Sequence, residues 1–540
     1  MKIINGSDSR AGLHDAGSRE SLGFVGGGRM ISIRRLALVV VLSISAAAVA
    51  SVNAIAQDQE WQSSQVLGVP PAGADMFQLN DLDAFKRYSR VKNFEIVGHA
   101  YLRGPWINPA FGHVGMATNT MRVCDSKVAY LAGYNPIVFG VLIVDVSNPA
   151  DIKPLSFIPA HPGMKSTYLR VSCARQILAF DQSGEQPNNL TGARAVSSNP
   201  DKPRPGEPLM SGVSFYDVTD PRNPRLLGEW RNAGGLTHGM EMDDSYVYVC
   251  GTSAESKKDT QVEELNILNY DTPSKPELVS RFHIVGQHIG ETYAESNRKN
   301  PNGSDQMITC HEIQKDNDRL YLAYRDEGVV ILDITDPAKP LRIDGGYDYS
   351  PPFNGDPGLP REGCCPGAHT VMPAHHTGPL PTIAVLTDEH FNCPPGFGRI
   401  LDITYPQHIT LLSTYHITGV DDQYDFDKKQ FVCPEGSQES AHMAEFDHRV
   451  KGGNLFYQAW YNQGLRAIDI SNPFRPREVG YYISPDFGIE VPGQKGRHTR
   501  EPYPDWDSDL IYVTDGNGGG LTVLRYTGAL PSRPPIPGVR

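Results

Sequence analysis

Leu142-Ile143-Val144-Asp145-Val146-Ser147-Asn148-Pro149 reads as a strand running into a capped turn. The branched apolar run suits a buried strand. The aspartate and the Ser-Asn-Pro that follow suit a turn closed by side-chain-to-backbone hydrogen bonds. The pattern returns as Phe215-Tyr216-Asp217-Val218-Thr219-Asp220-Pro221 and as Ile331-Leu332-Asp333-Ile334-Thr335-Asp336-Pro337. Further copies are Ile400-Leu401-Asp402-Ile403-Thr404-Tyr405-Pro406 and Ala467-Ile468-Asp469-Ile470-Ser471-Asn472-Pro473. Ile267-Leu268-Asn269-Tyr270-Asp271-Thr272-Pro273 is a weaker copy, and Leu521-Thr522-Val523-Leu524-Arg525-Tyr526 a remnant that brings the copies to seven.

Working outward from each copy, a short strand follows the turn, as in Pro154-Leu155-Ser156-Phe157-Ile158. A strand pair precedes it, as in Leu320-Tyr321-Leu322-Ala323-Tyr324 before Gly328-Val329-Val330. About four strands per unit make one propeller blade. The aligned residues Asp145, Asp217, Asp333, Asp402 and Asp469 stand further apart than the roughly 40–50 residues a blade needs, so the blades carry insertions, Gly184 to Pro208 among them. The expected fold is all-β, a seven-bladed β-propeller over residues 93–529. The last unit lacks an outer strand, and Phe94-Glu95-Ile96-Val97-Gly98-His99 resembles one. This predicts a ring closed by an N-terminal strand, which removes exposed edges. Residues 57–92 are then an N-terminal arm and 530–540 a Pro-rich tail.

Residues 30–56 have the pattern of an export signal. Arg34 and Arg35 precede the apolar run Leu36 to Ile44, and Ala54-Ile55-Ala56 offers a small-x-small cleavage site. Residues 1–29, polar and Gly-rich, are expected to be an upstream extension with the true start at Met30. The mature chain is expected to have no transmembrane segment and to be periplasmic or secreted. In that oxidising setting the eight cysteines are disulfide candidates. Cys124 and Cys173 fall at similar points of successive units and are candidates to bridge blades, while Cys364, Cys365, Cys393 and Cys433 form a second group. A net charge of −13 argues against nucleic acid, whose phosphates need a basic surface, and against docking on an anionic bilayer.

The repeated Leu-x-Ile-Val-Asp-x-(Ser/Thr)-(Asn/Asp)-Pro-x-x-Pro unit resembles that of the LVIVD-repeat propellers, many of them exported bacterial and archaeal proteins. The resemblance spans roughly residues 94–529 and implies the fold. It implies no particular activity, because propellers host unrelated functions.

Functional candidates come from the innermost strands. Six of the seven units place a histidine where that strand begins: His113, His238, His311, His369, His442 and His498. The second unit has Tyr168 there. Equivalent positions of successive blades lie on a circle about the axis, so the six histidines are candidate metal ligands at one mouth of the channel. Converging imidazoles suit a transition metal: Fe, Cu or Zn. Glu241, Glu445 and Glu501 lie three residues beyond their histidines and are candidates to orient imidazoles or, with Tyr168, to move protons. Arg325, Asp326 and Trp460 follow second strands and are candidate substrate-binding residues, while His375-His376 and Asp388-Glu389-His390 of the fifth unit, close to the Cys-rich loops, are candidates to complete a metal site or bind substrate. The layout, though no motif, is similar to those of the carotenoid-cleaving oxygenases and the methanethiol oxidases. A repeated histidine also has a purely structural role, its ring bonding a carbonyl of the next blade. Two functions follow: a metal-dependent oxidoreductase or lyase acting on a small molecule, or a non-catalytic propeller binding a protein or glycan.

Overall fold

The structure is a computed structural model that describes residues 81–531 other than 113, 135, 185–210, 233–234, 258–261, 293–306, 348–366, 375–380, 391–394, 416, 422–423, 426, 429, 432–437, 451–452, 487–489 and 492–493. The signal segment, His113, the insertion at 185–208, His375-His376 and the Cys364, Cys365, Cys393 and Cys433 group lie outside the described residues.

Seven antiparallel blades form a propeller, each built outward from its innermost strand. Blade 1 comprises Thr118–Cys124, Val128–Gly133, Gly140–Asp145 and Lys153–Pro159. Blade 2 is built on Leu169–Ser172, Ile177–Gly184, Gly212–Asp217 and Arg225–Arg231. Blade 3 has Thr237–Met242, Tyr246–Gly251, Glu264–Asn269 and Glu277–Phe282, and blade 4 has Glu312–Asp316, Arg319–Ala323, Val329–Asp333 and Leu341–Arg342. Blade 5 is Ala368–Pro373, Ile383–Asp388, Gly398–Asp402 and Thr410–Tyr415. Blade 6 is Ala444–Phe446, Leu455–Ala459, Leu465–Asp469 and Arg477–Ile483. Blade 7 has Thr499–Pro504, Leu510–Asp515 and Leu521–Tyr526.

The repeated pattern makes the turn its residues dictate. Asp145 Oδ1 accepts from Ser147 N at 3.0 Å, Asp333 from Thr335 N at 2.8 Å and Asp469 from Ser471 N at 2.8 Å. The proline then ties blades together. Ser156, Ser280 and Ser413 of outer strands each donate at 2.6 Å to the carbonyl of Pro221, Pro337 or Pro473 in the next blade. The core lies between blades rather than within one sheet. Val330 and Leu332 of blade 4 cluster with Tyr248 and Ile267 of blade 3, while Tyr321 and Ile331 face Val371 and Leu386 of blade 5.

Phe94–Ala100 pairs antiparallel with Leu521–Tyr526 as the outer strand of the blade 7 sheet, Phe94 opposite Tyr526. A β-carbon on Gly98 would come within 1.6 Å of Pro149 O in blade 1. This is the same approach to a turn proline that the outer-strand serines make elsewhere. Just upstream, within the expected arm, Arg90–Lys92 adds an edge strand to blade 6 beside Arg477–Ile483. Two disulfides link neighbouring blades: Cys124–Cys173 joins blades 1 and 2, and Cys250–Cys310 joins blade 3 to the segment entering blade 4. Among the described residues no helix is long and apolar enough to cross a membrane.

Candidate metal centre at the channel mouth

The innermost strands bring five described histidines into one tier. Ring centroids run 4.2 Å from His238 to His311, 4.4 Å to His369 and 4.2 Å to His442. Tyr461 continues the series at 4.5 Å from His442 and 4.4 Å from His498. Tyr168 abuts His238 at 4.9 Å and Tyr134 abuts His498 at 5.9 Å. All but His238 among these histidines are buried.

Three of the imidazoles have Nδ1 engaged, two by a backbone carbonyl and one by a hydroxyl. His311 Nδ1 donates to His369 O of the next blade at 3.3 Å, and His442 Nδ1 donates to Arg500 O of the next blade at 2.6 Å. His369 Nδ1 pairs with Thr370 Oγ1 at 2.8 Å. A carbonyl can only accept, so Nδ1 of His311 and His442 carries the proton and Nε2 presents a lone pair. Burial, and then the nearby Arg325 or Arg500, hold His311, His369 and His442 well below the usual histidine range, in the neutral form.

The Nε2 atoms of His369 and His442 converge on one carboxylate. Glu389, buried at the end of blade 5's second strand, places Oε2 3.5 Å from His369 Nε2 and Oε1 3.9 Å from His442 Nε2. Ligand atoms of His311, His369 and Glu389 all lie within 4.8 Å of one another. His442 Nε2 is buried without a hydrogen-bond partner among the described residues. Arg325 Nη1 reaches Glu389 Oε2 at 3.1 Å, and the Tyr461 hydroxyl donates to Oε1. Arg325 and Tyr461 have φ of 45° and 41°, in the left-handed region. Strain of that kind, about 1–3 kcal/mol, clusters at functional sites.

The other two histidines are engaged differently. His498 Nε2 pairs with Gln438 Oε1 at 2.6 Å, and its ring lies so close to Gly516 that a β-carbon there would come within 2.6 Å of Nδ1. His238 has Nδ1 3.7 Å from Glu263 Oε2 and Nε2 3.4 Å from the Tyr168 hydroxyl. Burial pushes Glu263 up to about 8 and Glu312, which also bonds Tyr168, up to about 7.

The remaining candidates from the sequence fall elsewhere. Glu241 pairs with Arg170 at 3.2 Å and Glu501 with Arg122 at 2.9 Å, so both carboxylates meet arginines of neighbouring blades. Glu445 and Glu501 line a cavity of about 10 Å³ with Arg170 and Glu312. Thr370 and Met443, next to His369 and His442, line the same cavity. Asp326 Oδ2 accepts from Met307 N at 2.6 Å and fastens a loop. His390 N donates to Ser440 Oγ at 2.7 Å. Trp460 belongs to the apolar cluster between blades 5 and 6, with Phe397, Tyr415 and Phe456, and it is the next residue, Tyr461, that enters the tier. Glu263, Glu312 and Arg500 are polar residues the sequence pattern did not single out, whereas Glu389 stands in the Asp388-Glu389-His390 run that is a candidate to complete a metal site. The available signal was positional: Glu389 follows its second strand as Arg325 and Tyr461 follow theirs.

Fold and site together define a seven-bladed β-propeller with a buried His/Glu cluster at its axis. The LVIVD repeat model matches residues 129–154, 317–344 and 450–484. The chain is an LVIVD-repeat β-propeller. No curated protein matches it. Similar solved structures include the Neurospora crassa Pan2 WD40 domain, at 8% identity over 81% of this chain and 96% of that one, with a TM-score of 0.45. The Myceliophteria thermophila Cps50 (Swd1) β-propeller domain gives 10% identity, 81% and 99% coverage and a TM-score of 0.44. The computationally designed Ika8 protein gives 9%, 76%, 96% and 0.40.

Proposed function

We propose that this protein is an exported metal-dependent enzyme, an oxidoreductase or lyase, that acts on a small molecule at the channel mouth. The observation that carries the reading is the convergence of His369 and His442 Nε2 on Glu389, with His311 beside them. Neutral imidazoles plus a carboxylate are the donor set of Fe, Cu or Zn. The orphaned, buried His442 Nε2 fits such an ion. A bound ion there supplies Lewis-acid or redox chemistry. The Nδ1 bonds to the next blade orient the ligands, so sealing the ring and presenting Nε2 are one arrangement rather than alternatives. Arg325 and Arg500 favour a substrate that is anionic or gains negative charge. Tyr168, between His238 and Glu312, is the group best placed to move a proton. The two interblade disulfides support export.

A second reading rests on Arg325 and Tyr461, which already satisfy Glu389. The tier is then a closed polar plug in a propeller that binds a protein or glycan without catalysis. Metal analysis of natively purified protein separates the two. About one equivalent of transition metal is expected, and it is expected to be lost in a folded His311→Ala/His369→Ala variant. Less than about half an equivalent overturns the metalloenzyme reading, since a catalytic ion should occupy its site. Retention in His442→Gln and the double variant alike, both folded, overturns this ligand set.

A further inference from the structure

A separate donor cluster lies where blade 3 ends. The chain leaves the outer strand Glu277–Phe282 as His283-Ile284-Val285-Gly286-Gln287-His288-Ile289-Gly290-Glu291. The turn stacks the His283 and His288 rings 3.7 Å apart and 15° from parallel. His288 Nε2 lies 2.7 Å from Glu264 Oε2, and His283 Nε2 lies 3.2 Å from Glu291 Oε1. Glu291 Oε2 accepts from Gly286 N at 2.9 Å and His288 N at 3.2 Å, so one carboxylate closes the turn and faces an imidazole.

The cluster is built on a rigid support. Gln287, fully buried, accepts from Ile284 N at 2.6 Å and the Tyr324 hydroxyl at 2.7 Å. It also donates to Glu263 O and Ile308 O at 3.1 Å each. Glu264 is fully buried, yet among the described residues Oε1 has no hydrogen-bond donor, the guanidinium of Arg281 standing 3.6 Å away. A buried carboxylate oxygen left without a donor is costly, and a cation is the natural complement. Successive residues of a strand point to opposite faces. Accordingly Glu263 addresses His238 in the channel, while Glu264 addresses His288 outside it.

We propose that Glu264, His283 and His288, with Glu291 adjacent, form a second divalent-metal site, for Zn²⁺ or Cu²⁺, independent of the channel cluster. Ligand atoms of the first three lie within 4.8 Å of one another. Two imidazoles and carboxylate oxygens are a donor set for these ions rather than for Ca²⁺ or Mg²⁺. The imidazoles are 27% and 20% exposed, so the ion exchanges with solvent.

The test is titration of the full chain with Zn²⁺, followed by calorimetry and by the shift in Tm. It is run on the wild type, on His283→Gln and His288→Gln, and on His311→Ala/His369→Ala. The wild type is expected to bind one exchangeable equivalent. Either loop variant is expected to lose it or weaken it at least about tenfold, the usual cost of damaging a metal site. The channel variant is expected to keep it. A folded His283→Gln variant that binds with unchanged stoichiometry and affinity overturns the proposal, as does a wild type with no exchangeable equivalent. In those cases Glu264 and His288 form a hydrogen-bonded pair only.

Discussion

His442 Nε2 stands 3.9 Å from Glu389 Oε1 and has no hydrogen-bond partner among the described residues, although its ring is buried and its Nδ1 is fixed to the next blade. The polar tier is thus complete around Glu389 on the side of Arg325 and Tyr461 and open on the side of the histidines. Glu389→Gln keeps the shape and removes the charge that balances Arg325. Leaving one member of a buried pair unpaired costs about 3–5 kcal/mol. We expect urea denaturation to show a loss of that size, and Arg325→Met/Glu389→Gln to recover part of it. Equal stability of wild type and Glu389→Gln would mean that the pair is neutralised in some other way.

Gly98 faces Pro149 with no room for a side chain. The strand it belongs to is the outer strand of blade 7, and the proline belongs to blade 1. If this contact latches the ring, Gly98→Ala forces the two apart and costs about 1–3 kcal/mol, as overpacking does elsewhere. Removing residues 94–100 leaves Leu521–Tyr526 as an open edge, which invites pairing with other chains. Light scattering of the truncated protein is expected to show association, and a monodisperse monomer would argue against the latch.

The blades were legible because each repeats the same physical device. An aspartate followed two residues later by Ser or Thr makes the same turn in blades 1, 4 and 6, whatever surrounds it. The histidine tier was legible for the same reason: one ring per unit at one offset. What decides the site is not repeated. The turn after the second strand supplies Arg325, Glu389 and Tyr461, a cation, an anion and a phenol. Periodicity cannot flag positions whose chemistry differs in every blade. Trp460 and Tyr461 are neighbours, and only the left-handed turn at Tyr461 sends one into the core and the other to the axis. Glu241 and Glu501 kept their spacing from a histidine, but along a strand three residues lead away from it, toward Arg170 and Arg122.

Cys124–Cys173 and Cys250–Cys310 close loops with sequence separations of 49 and 60 residues. Cross-links over loops of that length contribute roughly 4 kcal/mol each in the chain-entropy account. Cys124→Ser/Cys173→Ser is expected to lower Tm measurably, and dithiothreitol is expected to reproduce the effect in the wild type but to add less in a variant lacking both bridges. A Tm insensitive to reductant would show that interblade packing alone carries these contacts.

Asp181 sets a pH dependence that can be checked apart from any ion. Its Oδ1 accepts from Thr167 N at 2.7 Å and Tyr168 N at 2.8 Å, positioning Tyr168, while Oδ2 is buried without a partner. Burial pushes this carboxyl from 3.8 up to about 7, against the opposing pull of those backbone bonds and of Lys165. The native state therefore holds the proton more tightly than the unfolded chain. Stability from this group is fully present below the unfolded value of 3.8 and is lost as pH rises to about 7. Asparagine keeps an acceptor for the two N–H groups and does not titrate. Relative to wild type, Asp181→Asn is expected to gain roughly 1 kcal/mol per pH unit between about pH 5 and 7, with no further gain above that. Denaturation midpoints at a series of pH values test this directly, and parallel curves for the two proteins would show that Asp181 does not titrate in that window.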